Sequence, residues 1–266
     1  MKQLRLVASV LKIVSRERSL NRMGSLVEIS NILARYVVLL FLYAYIFKYK
    51  GGSINGTTFQ VITWSMFFYF TIMMFKIRDI GKHIMSDIKS GSVEILFSKP
   101  FHYLWYRIIW QLSSGFFPFI SVALLGSTIL YFSVGIPATM HSMFFVLTFL
   151  VAFVFSIINA VCIYTMVGLM AFWYEDIEST RWIIDKFVMI LGGSYLPVAL
   201  FPKVLYLLAI WSPFGAAYFV THTVNDSWRS NFGTLLSIQF FWVVVLVFLM
   251  IFMFSRAQKK LSVNGG

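Results

Sequence analysis

Long apolar runs, separated by short polar breaks, repeat along the whole chain. The first extends from about Ile29 to Phe47 and the second from about Thr58 to Phe75, with a Gly-rich turn at Gly51-Gly52-Ser53-Ile54-Asn55-Gly56 between them. A third covers about Ile108 to Phe132 and carries Pro118, a point for a kink. A fourth, from about Met140 to Trp173, is longer than one bilayer requires; a fifth covers about Ile183 to Leu200 and a sixth about Phe232 to Phe254. Crossing the hydrocarbon of a bilayer takes about 20 apolar residues in a helix. The pattern therefore predicts an all-α integral membrane protein with six transmembrane helices, forming a single domain over residues 1–266.

Three further segments depart from the spanning pattern. In residues 1–28, Leu4, Val7, Leu11 and Val14 share one helical face while Arg5, Lys12, Arg16 and Arg18 lie elsewhere. This predicts an interfacial helix with its cations near anionic headgroups. The start resembles a secretory signal, but its apolar part is short and broken by Lys12, so no cleavage is expected. In residues 76–107, Ile77, Ile80, Ile84 and Ile88 recur at three-to-four spacing between charged residues, which predicts an amphipathic helix outside the bilayer core. Gly91 ends that helix and Pro100 prevents another from running through it. In residues 201–222, short apolar pieces are bounded by Pro202, Pro213 and Gly215. Neither is long enough to span, so they read as re-entrant helices whose backbone needs protein or a wet cavity around it.

Composition agrees. Hydrophobic residues make up 59% and charged residues 12%, against about a quarter charged in soluble domains. The net charge of +12 does not point to nucleic acid, because the cations sit between apolar runs. Alternate loops hold 17 of the 22 Lys and Arg residues, which predicts a multi-pass protein of the cell inner (plasma) membrane with both termini cytoplasmic. The single Cys162 allows no disulfide within the chain.

Little in the chain suggests chemistry of its own. Gly81-Lys82 lacks the rest of a phosphate-binding loop, and His83, His102, His141 and His222 have no metal-ligand spacing. No metal and no cofactor are expected. His83 and Asp87 stand one turn apart and read as a solvated pair; Asp185 and Lys186 read as solvated at the interface. Charge at mid-span, which ion-coupled transporters carry, is nearly absent. Glu175, Asp176 and Glu178 are the one carboxylate cluster that a lipid-modifying enzyme could use; a structural or assembly subunit is the other alternative.

The order of these segments resembles the permease subunit of a type-2 ATP-binding-cassette (ABC) transporter, in a bacterial exporter-like branch. Gly91, Leu96, Lys99 and Pro100 match that family's Gly-x-x-x-x-Leu-Leu-x-(Lys/Arg)-Pro stretch, with Phe97 in place of the second Leu. Gly192-Gly193, Pro197, Phe201-Pro202 and Pro213-Phe214 follow its later Gly-Gly, Pro, Phe-Pro and Pro-Phe run, and Gly265-Gly266 is similar to one bacterial ending. The resemblance implies export of an amphipathic substrate (a drug, a lipid or a lipid-linked glycan) through a homo- or heterodimer of permeases among membrane lipids. Separate cytoplasmic ATPase subunits would hydrolyse the ATP, so this chain would not be an enzyme. Residues 1–28 would form the elbow helix. Ile80, Ile84, Asp87, Ile88, Gly91, Glu94, Leu96, Lys99 and Pro100 would belong to the helical loop that couples to the ATPase. Gly192, Gly193, Pro197, Phe201, Pro202, Pro213 and Phe214 would shape the outer gate.

Overall fold

The computed structural model describes residues 22–54, 56–99, 102–174 and 176–264. Leu4, Val7, Leu11, Val14 and Pro100 lie outside the described residues, as does Glu175. The described helices are α1 (Arg22–Tyr49), α2 (Phe59–Met73), α3 (Asp79–Lys89), α4 (Ser92–Phe97), α5 (Tyr103–Ser133), α6 (Met143–Leu169), α7 (Glu178–Leu191), α8 (Lys203–Trp211), α9 (Pro213–Ala216) and α10 (Trp228–Asn264). A small antiparallel hairpin, β1 (Ser53–Ile54) and β2 (Thr57–Thr58), joins α1 to α2.

Four helical stretches are long and apolar enough to cross a membrane: Ile29–Tyr49, Tyr103–Ser133, Met143–Phe172 and Trp228–Lys260. The chain is thus a helical integral membrane protein. The remaining two of the six expected runs form shorter helices. With 15 residues α2 extends about 22 Å, and α7, with 14, about 21 Å. Both fall short of the ~30 Å hydrocarbon thickness. Composition explains why: α2 ends before Lys76, which turns the chain at φ 50°, and α7 ends at Gly192-Gly193, where Gly193 takes φ 83°. Helix α7 also starts at Glu178, ahead of the apolar run itself.

Shortness and burial go together. Every residue from Val61 to Ile72 on α2 is buried, although the helix has no polar face to hide. It forms the centre around which α1, α5, α6 and the 3-10 segment Phe219–Val224 pack. At the hairpin end, Gln60 Nε2 donates to Val134 O (2.9 Å) and Trp64 Nε1 to Gly135 O (2.8 Å), which fastens α2 to the turn between α5 and α6. On the other flank Tyr36 OH donates to Thr63 O (3.1 Å) and Tyr43 OH to Tyr195 O (2.6 Å). Outward faces of α5, α6 and α10 stay apolar and exposed, at residues such as Leu125, Leu147 and Phe248. In a bilayer such faces meet lipid at no cost, so they need no partner within the chain.

Candidate functional site

Helix α3 lies across the end of the bundle opposite the hairpin, packed on α6 and the start of α5. Its sequence sets its limits. Asp79 in the first turn and Lys89 in the last complement the helix dipole, and Gly91, at φ 71°, takes the left-handed turn that stops it. The stripe of Ile80 and Ile84 is fully buried, and Ile88 is half-buried. The apolar face of α3 is therefore covered by the chain itself. Contact with α6 is close because two glycines meet: a Cβ on Gly168 would lie 2.8 Å from Gly81 Cα, and one on Gly81 would lie 3.0 Å from Tyr164 O. Real Cβ atoms do not come as close to backbone as one on Gly168 would, so that position requires glycine, and the fit at Gly81 is tight.

Asp87 is the second fastening, and it is not the solvated partner of His83 that the spacing suggested. Its side chain is only 8% exposed and takes two hydrogen bonds from the Arg107 guanidinium, one from Nε at 2.6 Å and one from Nη2. Tyr103 OH donates to Oδ2 at 2.7 Å. A carboxylate buried with a two-pronged arginine and a phenol is satisfied on all sides, so α3 and α5 form one body. His83 is half-buried nearby; burial, with the neighbouring Arg107 charge adding to it, lowers its pKa from the ordinary value.

A third fastening joins α3 to α7. Arg78, at the N-cap of α3, stands 3.8 Å from Asp185 Oδ2, and Tyr164 OH donates to Asp185 Oδ1 at 2.8 Å. Asp185 is thus built into the fold, with its side chain 16% exposed, rather than solvated at the interface. Beside it Tyr69 stacks on Tyr218 with ring centroids 4.2 Å apart, and these rings with Tyr164, Arg78 and Asp185 enclose a polar cavity of about 20 Å³. That is room for about one water. Sequence spacing does not reveal this cluster, because its members come from α2, α6, α7, the loop before α3 and, with Tyr218, the turn after α9.

Beyond α7 the chain breaks repeatedly. Pro197 and Phe201 are buried, Pro202 is exposed, and Pro213 opens α9 with Ser212 accepting from Gly215 N (3.1 Å) as its cap. Gly192 is fixed by Tyr218, whose ring would lie 2.9 Å from a Cβ there, and Gly215 by Ala209 O, at 1.9 Å. Phe214 stacks on Phe187, 5.6 Å away. The segment is pinned from behind by Gln239, whose Nε2 reaches Ala216 O (2.9 Å), Ser156 Oγ (3.0 Å) and Ala152 O (3.2 Å). Ser156 Oγ also accepts from Val220 N (3.4 Å). These are the protein partners that a broken backbone inside a membrane requires.

The surface left around α3 and α4 is polar. Lys82, Ser86, Lys89, Glu94 and Lys99 are exposed, together with Ile95, while Leu96 is half-buried. Phe97 and Tyr103 pack on Phe254 of α10, with centroids at 5.7 and 6.4 Å. Two of the three carboxylates considered for lipid chemistry are engaged structurally: Asp176 caps Glu178 N at 2.9 Å and lies 3.8 Å from Lys89, and Glu178 pairs with Arg181. Among the described residues no group of His, Cys, Asp and Glu is placed to hold a metal ion.

Residues 33–265 match the family model described as ABC-2 family transporter protein. No curated protein matches the chain.

Proposed function

The chain belongs to the ABC-2 transporter family and is a membrane subunit of an ABC transporter, and from that premise we propose that it is the permease of an exporter driven through α3 and α4. Membrane subunits of this family generally work with ABC ATPases. We assign the docking surface to the exposed rim of Lys82, Lys89, Glu94, Ile95 and Lys99 rather than to the buried isoleucines. The observation that carries this reading is the triple fastening of α3. Gly81 against Gly168, Asp87 to Arg107 and Arg78 to Asp185 tie it to α6, α5 and α7. A helix so held cannot shift alone, so a push on its outer rim moves three helices together. Only a difference in ATPase contact between two states supplies that push.

In this reading the α3 end and both termini face the cytoplasm, as the bias of Lys and Arg supports. Two permeases pair to form the path, and α8 and α9 with the 3-10 segment Phe219–Val224 close its outer mouth. Substrates are amphipathic, in keeping with walls of aromatic and aliphatic residues almost free of charge. The test is capture of the ATPase subunit by the tagged permease in detergent. Lys82→Glu, Ile95→Asp and Lys99→Glu together should abolish capture while the melting temperature stays unchanged. Undiminished capture and ATP-dependent efflux in that variant would overturn the docking surface.

A further inference from the structure

Between α5 and α6, against α2, the bundle opens into a slot of about 510 Å³. Its back wall is a stripe on α2, Trp64, Phe68 and Thr71, at the spacing of successive helical turns. Phe119 and Ala123 of α5 form one side, and Phe149 of α6 faces them. At mid-depth the slot is closed by rings: Phe75 stacks on Phe119 at 4.4 Å, and Phe119 meets Phe153 at 5.5 Å. From there the small residues Ala123 and Ser127 leave it open as far as Met140 at the hairpin end.

The walls offer nothing to a polar ligand. The three lining side chains with a polar hydrogen donate inside the chain: Thr71 Oγ1 to Phe67 O (2.7 Å), Ser127 Oγ to Leu124 O (3.1 Å) and Trp64 Nε1 to Gly135 O (2.8 Å). A ligand with its own donors would leave them unpaired here. Protein interiors rarely keep voids larger than a water molecule, so a slot this size needs an occupant.

We propose that the slot holds one acyl chain of a membrane phospholipid from the leaflet at the hairpin end, as a bound component of the permease. Two observations select this occupant. The slot opens sideways between exposed apolar residues, Leu124 on α5 and Leu150 and Val151 on α6, so it is continuous with the lipid-facing surface. From Phe119 to Ser127 it extends eight residues, about 12 Å, close to the ~15 Å of hydrocarbon in one leaflet. At its inner wall the slot meets Ile72 and Val220, next to the tyrosine cluster at Tyr69 and Tyr218 and on the segment read as the outer gate. The occupant wedges α5 from α6, where aromatic rings alone do not fill the gap.

The test uses the full chain in phosphatidylcholine–phosphatidylglycerol vesicles doped with a phosphatidylcholine carrying a photoactivatable diazirine in its acyl chain. After irradiation, adducts are mapped by peptide mass spectrometry. Adducts on Phe119, Ala123, Phe149 and Phe153 should exceed those on the plainly exposed Leu125 and Phe132 several-fold. Ala123→Trp, which fills the slot, should abolish the excess and leave the adducts on Leu125 and Phe132 unchanged. Equal labelling of slot and exposed faces would overturn the proposal. Should Ala123→Trp fail to fold, the wild-type map decides alone, because it already separates a bound chain from surrounding lipid.

Discussion

The two ends of the bundle are tied by different chemistry. At the α3 end the ties are ionic: Asp87 with Arg107, Asp185 with Arg78, Asp176 with Lys89. Toward the hairpin end they are neutral: Gln239 to Ala216 O, Trp228 Nε1 to Thr148 Oγ1 (2.9 Å), Thr139 Oγ1 to Val224 O (3.0 Å) and Trp64 to Gly135 O. Depth accounts for the difference. A charge within hydrocarbon costs several kcal/mol unless it is paired or reaches water, whereas a neutral donor paired across helices contributes about 0.6–2 kcal/mol. The comparison teaches where each end is vulnerable. Only Asp87 with Arg107 is closed from solvent, so the α3 end depends on one strong pair and fails when either partner is lost; the hairpin end depends on many weak ones and degrades gradually.

Asp87→Ala is the largest test of that contrast. It strands Arg107 in a nearly closed site, and breaking such a pair costs about 3–5 kcal/mol. Thermal unfolding in detergent should show that loss, and Asp87→Ala with Arg107→Met should recover part of it. Next comes Gly168→Ala, which forces a Cβ to within 2.8 Å of Gly81 Cα. Overpacking of this kind costs about 1–3 kcal/mol, and transport should fall further than stability if α3 has to move with α6. Gln239→Met, at the hairpin end, should cost only about 1–2 kcal/mol. A loss as large as that of Asp87→Ala would erase the distinction between the ends. The smallest effect belongs to His83. Burial holds its folded pKa below the ordinary 6.5, so the unfolded chain takes up the proton first as pH falls. Stability is therefore lost on acidification through that range. His83→Gln should flatten the dependence slightly in melting curves taken from pH 7.5 down to about 5.

Much of the scaffold can be read from the amino acids alone. The spans at Ile29–Tyr49, Tyr103–Ser133, Met143–Phe172 and Trp228–Lys260 coincide with apolar runs, and the breaks at Gly91 and at Gly192-Gly193 fall where glycine permits a left-handed turn or a close approach. The lengths of α2 and α7 are less legible, because an apolar run does not say how much of itself is helical. The cluster at the α3 end is hardly legible at all. Asp87 finds Arg107 twenty residues on, and Asp185 finds Tyr164 twenty-one residues back; periodicity within one helix contains neither pairing. The isoleucine stripe of α3 shows the same limit. Spacing reveals that a face is apolar, but only the surrounding helices show that the chain itself covers it.

With 37 residues α10 runs unbroken from Trp228 at the hairpin end to well past the last apolar turn, about 55 Å at the usual helical rise. It holds Gln239 behind the broken segment and, fifteen residues on, sets Phe254 against the rings of Phe97 and Tyr103. The helix is therefore a lever between two distant contacts: over the ~22 Å separating them, a pivot of about ten degrees at Gln239 carries Phe254 sideways by about 4 Å. In the function proposed above, closing one mouth and displacing the opposite floor become a single rotation.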